Sequence, residues 1–203
     1  MTDPLTQEEI EKVRLSVESF GFGLLAGPIA PTVLTALQQE AQQRRIEAVR
    51  AEQSEELKYK ASITSLGPCA RDFLCCRQML ELLSVIFGGS FVLTKDRSCL
   101  TFYEEGDHLG PHVDRPAEEC VVTIIVYVAT ARPAASASQT GLELRIYGQE
   151  MPENGRARLT IPTRTGGIVV GRGSIFWHER PTLQPGEQVA ALTGCYGYAT
   201  NGD

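Results

Sequence analysis

From Ser90 onward the chain breaks into short apolar runs divided by Gly, Pro, Asn and Asp, and this constrains the fold more than any other feature. Runs rich in Val, Ile, Thr and aromatic residues at 90–94, 99–104, 120–129, 141–147, 157–161, 167–171, 174–179 and 188–198 predict strands. No helical pattern lies between them. Parallel strands need long crossover connections, usually helices, so this half of the chain predicts an antiparallel sandwich or jelly roll. The Ala/Ser-rich segment 131–139 is short enough to be an exposed loop between two of the strands.

The first 89 residues follow a different period. Thr6 and Glu9 form a capping box, flanked by Leu5 and Ile10 as a hydrophobic staple, and Ile10, Val13, Val17 and Phe20 then share one helical face. A short strand over 20–25 stops at Gly27-Pro28, and Pro31 opens a second helix that runs to about Arg50 or beyond. The segment 52–67 loses periodicity and reads as a mobile loop carrying Lys58 and Lys60. A third helix starts at Pro68, with Phe73, Leu74, Leu80, Leu83 and Ile86 as core positions, and ends at Gly88-Gly89. At 203 residues the chain predicts one domain: residues 1–89 as helical support with a short strand, and 90–203 as a jelly-roll core.

A net charge of -6 and a pI near 5.2 give no basic footprint for nucleic acid or an anionic membrane. Neither a membrane-spanning run nor a signal-peptide pattern occurs, so a cytoplasmic protein is expected. The six cysteines are scattered without Cys-x-x-Cys spacing, which predicts reduced thiols and no disulfide framework.

Within 103–114 the chain reads Tyr-Glu-Glu-Gly-Asp-His-Leu-Gly-Pro-His-Val-Asp. In an extended segment His112 and Asp114 project to one side while Val113 faces away. Apart from His108, which sits in a polar turn pattern, the only other histidine is His178. Two histidines and one carboxylate are the ligand set of the facial triad that holds non-heme Fe(II) with positions left open.

With these residues in place, the stretch from about Cys99 to Tyr196 resembles the prolyl-hydroxylase-like branch of the 2-oxoglutarate and Fe(II)-dependent oxygenases. The resemblance rests on Tyr103 and Gly106 ahead of His112-Val-Asp114, the strand Cys120–Tyr127, the Gly-led strand Gly141–Tyr147, and Phe176-Trp177-His178. It implies a double-stranded β-helix (a cupin-like jelly roll) with the N-terminal helices packed on its larger sheet. It also implies Fe(II) on His112, Asp114 and His178, and 2-oxoglutarate held by Tyr103, Thr123 and Tyr127, with O₂ as the oxidant. The retained Asp114 points away from halogenation, which in related enzymes replaces this carboxylate by a small residue.

The pattern fails at one place. The family sets an arginine about ten residues after the distal histidine to pair with the far carboxylate of 2-oxoglutarate, and this chain has Gln188 there. Another cation is then expected to compensate. Arg180 is the first choice, because alternation puts it on the His178 side of its strand, and Arg145 and Arg172 are the alternatives. The expected activity is hydroxylation of a small, amino-acid-like or natural-product molecule, approaching near Lys58, Lys60 and Arg115. A peptide prolyl-type hydroxylase and a cupin-like metal-binding protein without oxygenase activity are the competing readings.

Overall fold

The computed structural model describes residues 6–25, 29–52, 58–132, 140–153 and 155–200. In chain order the elements are α1 (Gln7–Phe20), β1 (Phe22–Leu25), α2 (Pro31–Arg44), β2 (Val49–Glu52), β3 (Tyr59–Ser65), α3 (Pro68–Cys75), α4 (Arg77–Phe87), β4 (Phe91–Leu93) and β5 (Cys99–Tyr103). There follow β6 (His108–His112), β7 (Val122–Ala131), β8 (Glu143–Gly148), β9 (Leu159–Pro162), β10 (Ile168–Gly171), β11 (Trp177–Arg180) and β12 (Gln188–Tyr198).

The strands join as one antiparallel path, β1-β10-β7-β12-β5-β3-β6-β11-β8-β9, with β2 added to β3 and β4 to β12. This is the jelly-roll architecture expected from the strand half of the sequence. Two cores follow from strand alternation. Val122, Ile124, Val126, Val128, Leu192 and Tyr196 face outward onto the helices, meeting Val13, Leu37, Leu74, Met79 and Leu83. Tyr103, Ile125, Tyr127, Leu144, Ile146 and Val189 face inward, where Phe22 and Phe176 close the interior.

The α1 capping box forms as expected: Glu9 N–H donates to Thr6 Oγ1 (3.2 Å) and Thr6 N–H to the Glu9 carboxylate (2.8 Å). Leu5, the other half of the expected staple with Ile10, and Gly27-Pro28 lie outside the described residues, as do 133–139 of the expected loop. The helix ends at Gly21, where φ is +81° and a Cβ would meet the Phe176 ring at 2.1 Å; both demand glycine.

Four expectations are corrected. The second helix stops at Arg44, and the residues expected to continue it make tertiary contacts in a turn and in β2 instead: Arg44 donates to Ser65, Arg45 to Glu104, and Arg50 grips the fully buried Asp107 with both Nη atoms. Within the segment read as a mobile loop, 59–65 forms β3, an interior strand of the sheet bonded to β5 and β6. The third helix is two: Cys76 is extended (φ −64°, ψ 147°), and the break turns two separate apolar faces onto the sheet. The Leu74 carbonyl left over at the end of α3 is taken up by the buried Tyr196 hydroxyl at 2.9 Å. Finally, Cys120 and Cys195 form a disulfide, although 75 residues apart, because β7 pairs with β12; Cys69, Cys75, Cys76 and Cys99 are free. Among the described residues no helix is long and apolar enough to cross a membrane.

The Tyr196–Leu74 bond ties α3 to β12 and gives a direct test of this packing. Tyr196→Phe leaves a buried carbonyl without a donor and is expected to cost about 1–3 kcal/mol, read as a lower denaturant midpoint at unchanged slope. An unmoved midpoint would show that the hydroxyl does not carry this contact.

Candidate metal centre

β6 and β11 run antiparallel with His112 directly opposite His178, so the two rings lie 4.2 Å apart, tilted by 48°. Each Nδ1 faces a backbone carbonyl, His112 that of Gly110 (3.0 Å) and His178 that of Phe176 (2.9 Å). A carbonyl only accepts, so Nδ1 carries the proton on both rings and each Nε2 presents its lone pair. Both Nε2 atoms point at Asp114 Oδ1, at 3.4 Å from His112 and 3.8 Å from His178. One donor atom from each residue lies within 4.8 Å of the others. Three lone pairs converging without a proton between them are a cation site, and the donor set of two imidazoles and one carboxylate fits Fe(II).

Asp114 is held from two sides. Its N–H donates to the Gly173 carbonyl (2.9 Å), and Thr123 Oγ1 donates to Oδ2 (2.5 Å). A Cβ at Gly173 would fall 1.9 Å from Asp114 Oδ2 and 2.5 Å from Thr123 Oγ1, so the carboxylate occupies space that only glycine leaves free. Burial alone would push the Asp114 carboxyl up, but His178, His112 and the Thr123 hydroxyl outweigh it and hold it well below the usual carboxylate range. Burial, reinforced by His112, pushes His178 down to about 4 against the pull of Asp114, so its imidazole is neutral at pH 7.

Two residues beyond His178 on the same face, Arg180 is buried beneath the site. Its Nη1 donates to Thr163 Oγ1 (3.0 Å), and its guanidinium carbon lies 5.2 Å from the centroids of both the Tyr103 and Tyr127 rings. Burial raises the Tyr103 hydroxyl pKa against the opposing charge of Arg180, which keeps it a donor. Among the described residues Arg180 has no carboxylate partner, and Tyr127 Oη is the one buried side-chain polar atom without a hydrogen bond. A buried cation without a counter-charge beside an unused hydroxyl is the environment an anionic ligand would complete.

The other expected residues fall differently. Thr123 spends its proton on Asp114 rather than facing the Arg180 group. Gln188 is exposed at the start of β12, paired with Ala131, and stands apart from the buried group. Arg145 is ion-paired with Glu143 and Glu179 on the outer face, and Arg172 lies over Phe87. Instead of a turn, His108 opens β6 opposite Lys60. Thr163 and Gly173 were not among the sequence candidates; each acquires its role from a segment distant in sequence, and only the Gly-Arg-Gly punctuation before β11 hinted at a close approach.

Two outcomes follow for the metal-free protein. His178 falls from about 6.5 unfolded to about 4 folded, so its neutral form adds stability that is full above pH 6.5 and lost as pH falls toward 4. Asp114, depressed below 3.8, adds to the loss at still lower pH. Unfolding free energy measured against pH should therefore decline through this window, less steeply in His178→Gln; parallel curves would contradict the assignment. Gly173→Ala should leave the fold intact, by circular dichroism, and weaken Fe(II) binding at least about tenfold by displacing Asp114. Unchanged iron affinity in that variant would remove the steric account.

No protein-family model matches the sequence, and no curated protein sequence matches it. Solved structures do resemble it in three dimensions. The non-heme alpha-ketoglutarate-dependent epimerase SnoN from nogalamycin biosynthesis superposes with a TM-score of 0.74 at 14% identity, over 98% of this chain and 86% of that one. A Pseudomonas putida prolyl-4-hydroxylase gives 0.67 at 17% identity, over 94% and 100%. A prolyl hydroxylase from Trichoplax adhaerens, in complex with a hypoxia inducible factor peptide fragment, gives 0.70 at 16% identity, over 93% and 89%. At these identities the likeness establishes the fold: the chain is a double-stranded β-helix of the kind seen in prolyl hydroxylases and other 2-oxoglutarate-dependent non-heme iron enzymes.

Proposed function

We propose that the protein is an Fe(II)- and 2-oxoglutarate-dependent oxygenase that hydroxylates a small-molecule substrate. The observation that carries this reading is the juxtaposition on one short strand of a metal-ready His178 and the uncompensated cation Arg180, with the unpartnered Tyr127 hydroxyl beside them. One dicarboxylate with a keto-acid end suited to the metal and a second carboxylate suited to a buried cation would satisfy both features together. When bound, Fe(II), 2-oxoglutarate and O₂ supply oxidation of a substrate C–H bond coupled to conversion of 2-oxoglutarate to succinate and CO₂.

The protein's residues bind and orient. His112, Asp114 and His178 would hold the metal, a ligand set that leaves coordination positions open. Arg180 neutralises the far carboxylate, in the role the family gives to an arginine at the place where this chain has Gln188. Thr163 holds the guanidinium from below, and the Tyr103 and Tyr127 hydroxyls donate to the carboxylate. Phe22, tilted against the His178 ring at 4.9 Å, and Phe176 keep bulk water from this wall. SnoN in complex with nogalamycin RO and the Trichoplax protein in complex with a peptide fragment show that one fold accommodates both small-molecule and peptide partners. We take the small-molecule reading, in line with SnoN, whose structure holds Fe3+, alpha ketoglutarate and nogalamycin RO together.

Anaerobic titration of the Fe(II) protein with 2-oxoglutarate, followed by the visible charge-transfer band of the chelate, tests the assignment. Arg180→Gln and Tyr127→Phe should each raise the dissociation constant roughly ten- to a hundredfold, because each removes a hydrogen bond to a charged group, with iron affinity unchanged. Gln188→Ala should bind as the unaltered protein does. Equal affinity in all four proteins, or loss confined to Gln188→Ala, would overturn the placement.

A further inference from the structure

Strand register extends the metal-bearing face beyond the barrel. Directly opposed residues in antiparallel strands share a face. Val49 opposes Ile63, Ile63 opposes Thr101, Thr101 opposes Ala191 and Ala191 opposes Tyr127, so one row runs from the outer strand β2 to the tyrosine beside Arg180. The next row, Ser65, Cys99, Thr193 and Ile125, lies on the side of Thr123 and hence of Asp114. The Cys99 thiol confirms this nearness: burial raises its pKa, the Thr101 hydroxyl lowers it, and the Asp114 carboxylate raises it again.

These rows open into a groove of about 510 Å³, lined by Val49, Ile63, Ser65, Lys95, Asp96 and Cys99. Its volume is typical of small-molecule sites, which span roughly 300–1,000 Å³. Its inner end is Cys99, on the metal face; its wall sets the aliphatic Val49 and Ile63 beside the hydroxyl residues Thr64, Ser65 and Ser98, with Val49 70% exposed although it continues an otherwise covered row. At the rim stand Glu47, Lys95 and Asp96; Glu47 is ion-paired with Arg44 (3.0 Å), whereas Lys95 and Asp96 are in no ion pair among the described residues. A larger groove of about 1040 Å³ opens at Tyr147, which alternates with the inward Ile146 and so lies on the outer side of β8, bonded to Glu179. Strand register puts Cys99 of the smaller groove on the face that carries Thr123 and Asp114.

We propose that this groove is the substrate site and that it takes an aliphatic α-amino acid as a zwitterion, carboxylate on Lys95, ammonium on Asp96, side chain along Val49 and Ile63 toward Cys99 and the metal. The proposal rests on the oxygenase reading above and adds the substrate class to it. The unpaired opposite charges of Lys95 and Asp96 at the rim match a group that carries both signs on one carbon, and the two branched aliphatic side chains Val49 and Ile63 match a hydrocarbon tail.

The test is calorimetric titration of the anaerobic Fe(II)/2-oxoglutarate protein with L-leucine, with L-leucine methyl ester and N-acetyl-L-leucine as analogues that each lack one charge. Leucine should bind saturably, and each analogue at least about tenfold more weakly. Lys95→Gln and Asp96→Asn, both at exposed positions, should each weaken leucine by a similar factor while iron and 2-oxoglutarate affinities stay unchanged. Val49→Ser should weaken it less. No saturable leucine binding by a protein that binds Fe(II) and 2-oxoglutarate overturns the substrate class and leaves the oxygenase reading standing, as does leucine binding indifferent to all three substitutions. Failure to bind Fe(II) and 2-oxoglutarate at all removes both.

Discussion

The pairing of β6 with β11, in the register that sets His112 opposite His178, is the constraint on which the rest of the site depends. Strand side chains alternate, so shifting this pairing by one residue would turn His178 and Arg180 outward together and leave Asp114 facing His112 alone. In the observed register one strand of four residues delivers a neutral imidazole and a buried guanidinium to the same wall. Each ring is then locked by a backbone carbonyl at Nδ1, which decides the tautomer before any metal arrives.

Around that pair the larger sheet acts as a support. β7 contributes Thr123 to Asp114 and Tyr127 to the region of Arg180, two inward positions of one strand with Ile125 between them. Its outward residues Val122, Ile124, Val126 and Val128 are buried against the helices, so the strand cannot rotate without exposing apolar surface worth roughly 1.5–3 kcal/mol per side chain. The Cys120–Cys195 disulfide joins the segment after Asp114 to β12 at the level of Thr123. The polar interior therefore sits in a frame whose rigidity comes from ordinary hydrophobic packing on its other face.

Much of this was legible before the structure, for identifiable reasons. His112 and Asp114 are two apart in an extended run, which sets them on one side, and the scarcity of histidines together with the family resemblance named His178 as the third donor. Arg180 followed from the same two-residue alternation. In β3 the alternation of Tyr59, Ala61 and Ile63 with Lys60, Ser62 and Thr64 was present, but the neighbouring lysines and hydroxyls masked it as a loop. The roles of Thr163 and Gly173 were invisible because each depends on the approach of a segment far away in the chain. Thr123 drew attention as a residue of the right strand and face; what it bonds could be decided only by the position of Asp114. Likewise the disulfide depends on β7–β12 pairing, and Gln188 stood out because of its place in the chain, whereas in space it is exposed.

The central claim is that Arg180, and not a residue of β12, supplies the positive charge of an anion pocket beneath the metal. An anaerobic crystal structure with Fe(II) and 2-oxoglutarate measures this directly. The account predicts the distal carboxylate within salt-bridge distance of an Arg180 Nη atom, about 2.7–2.9 Å, with the Tyr127 hydroxyl donating to it. A carboxylate resting against Gln188 or hydroxyl groups alone, with no guanidinium nitrogen in contact, would contradict it.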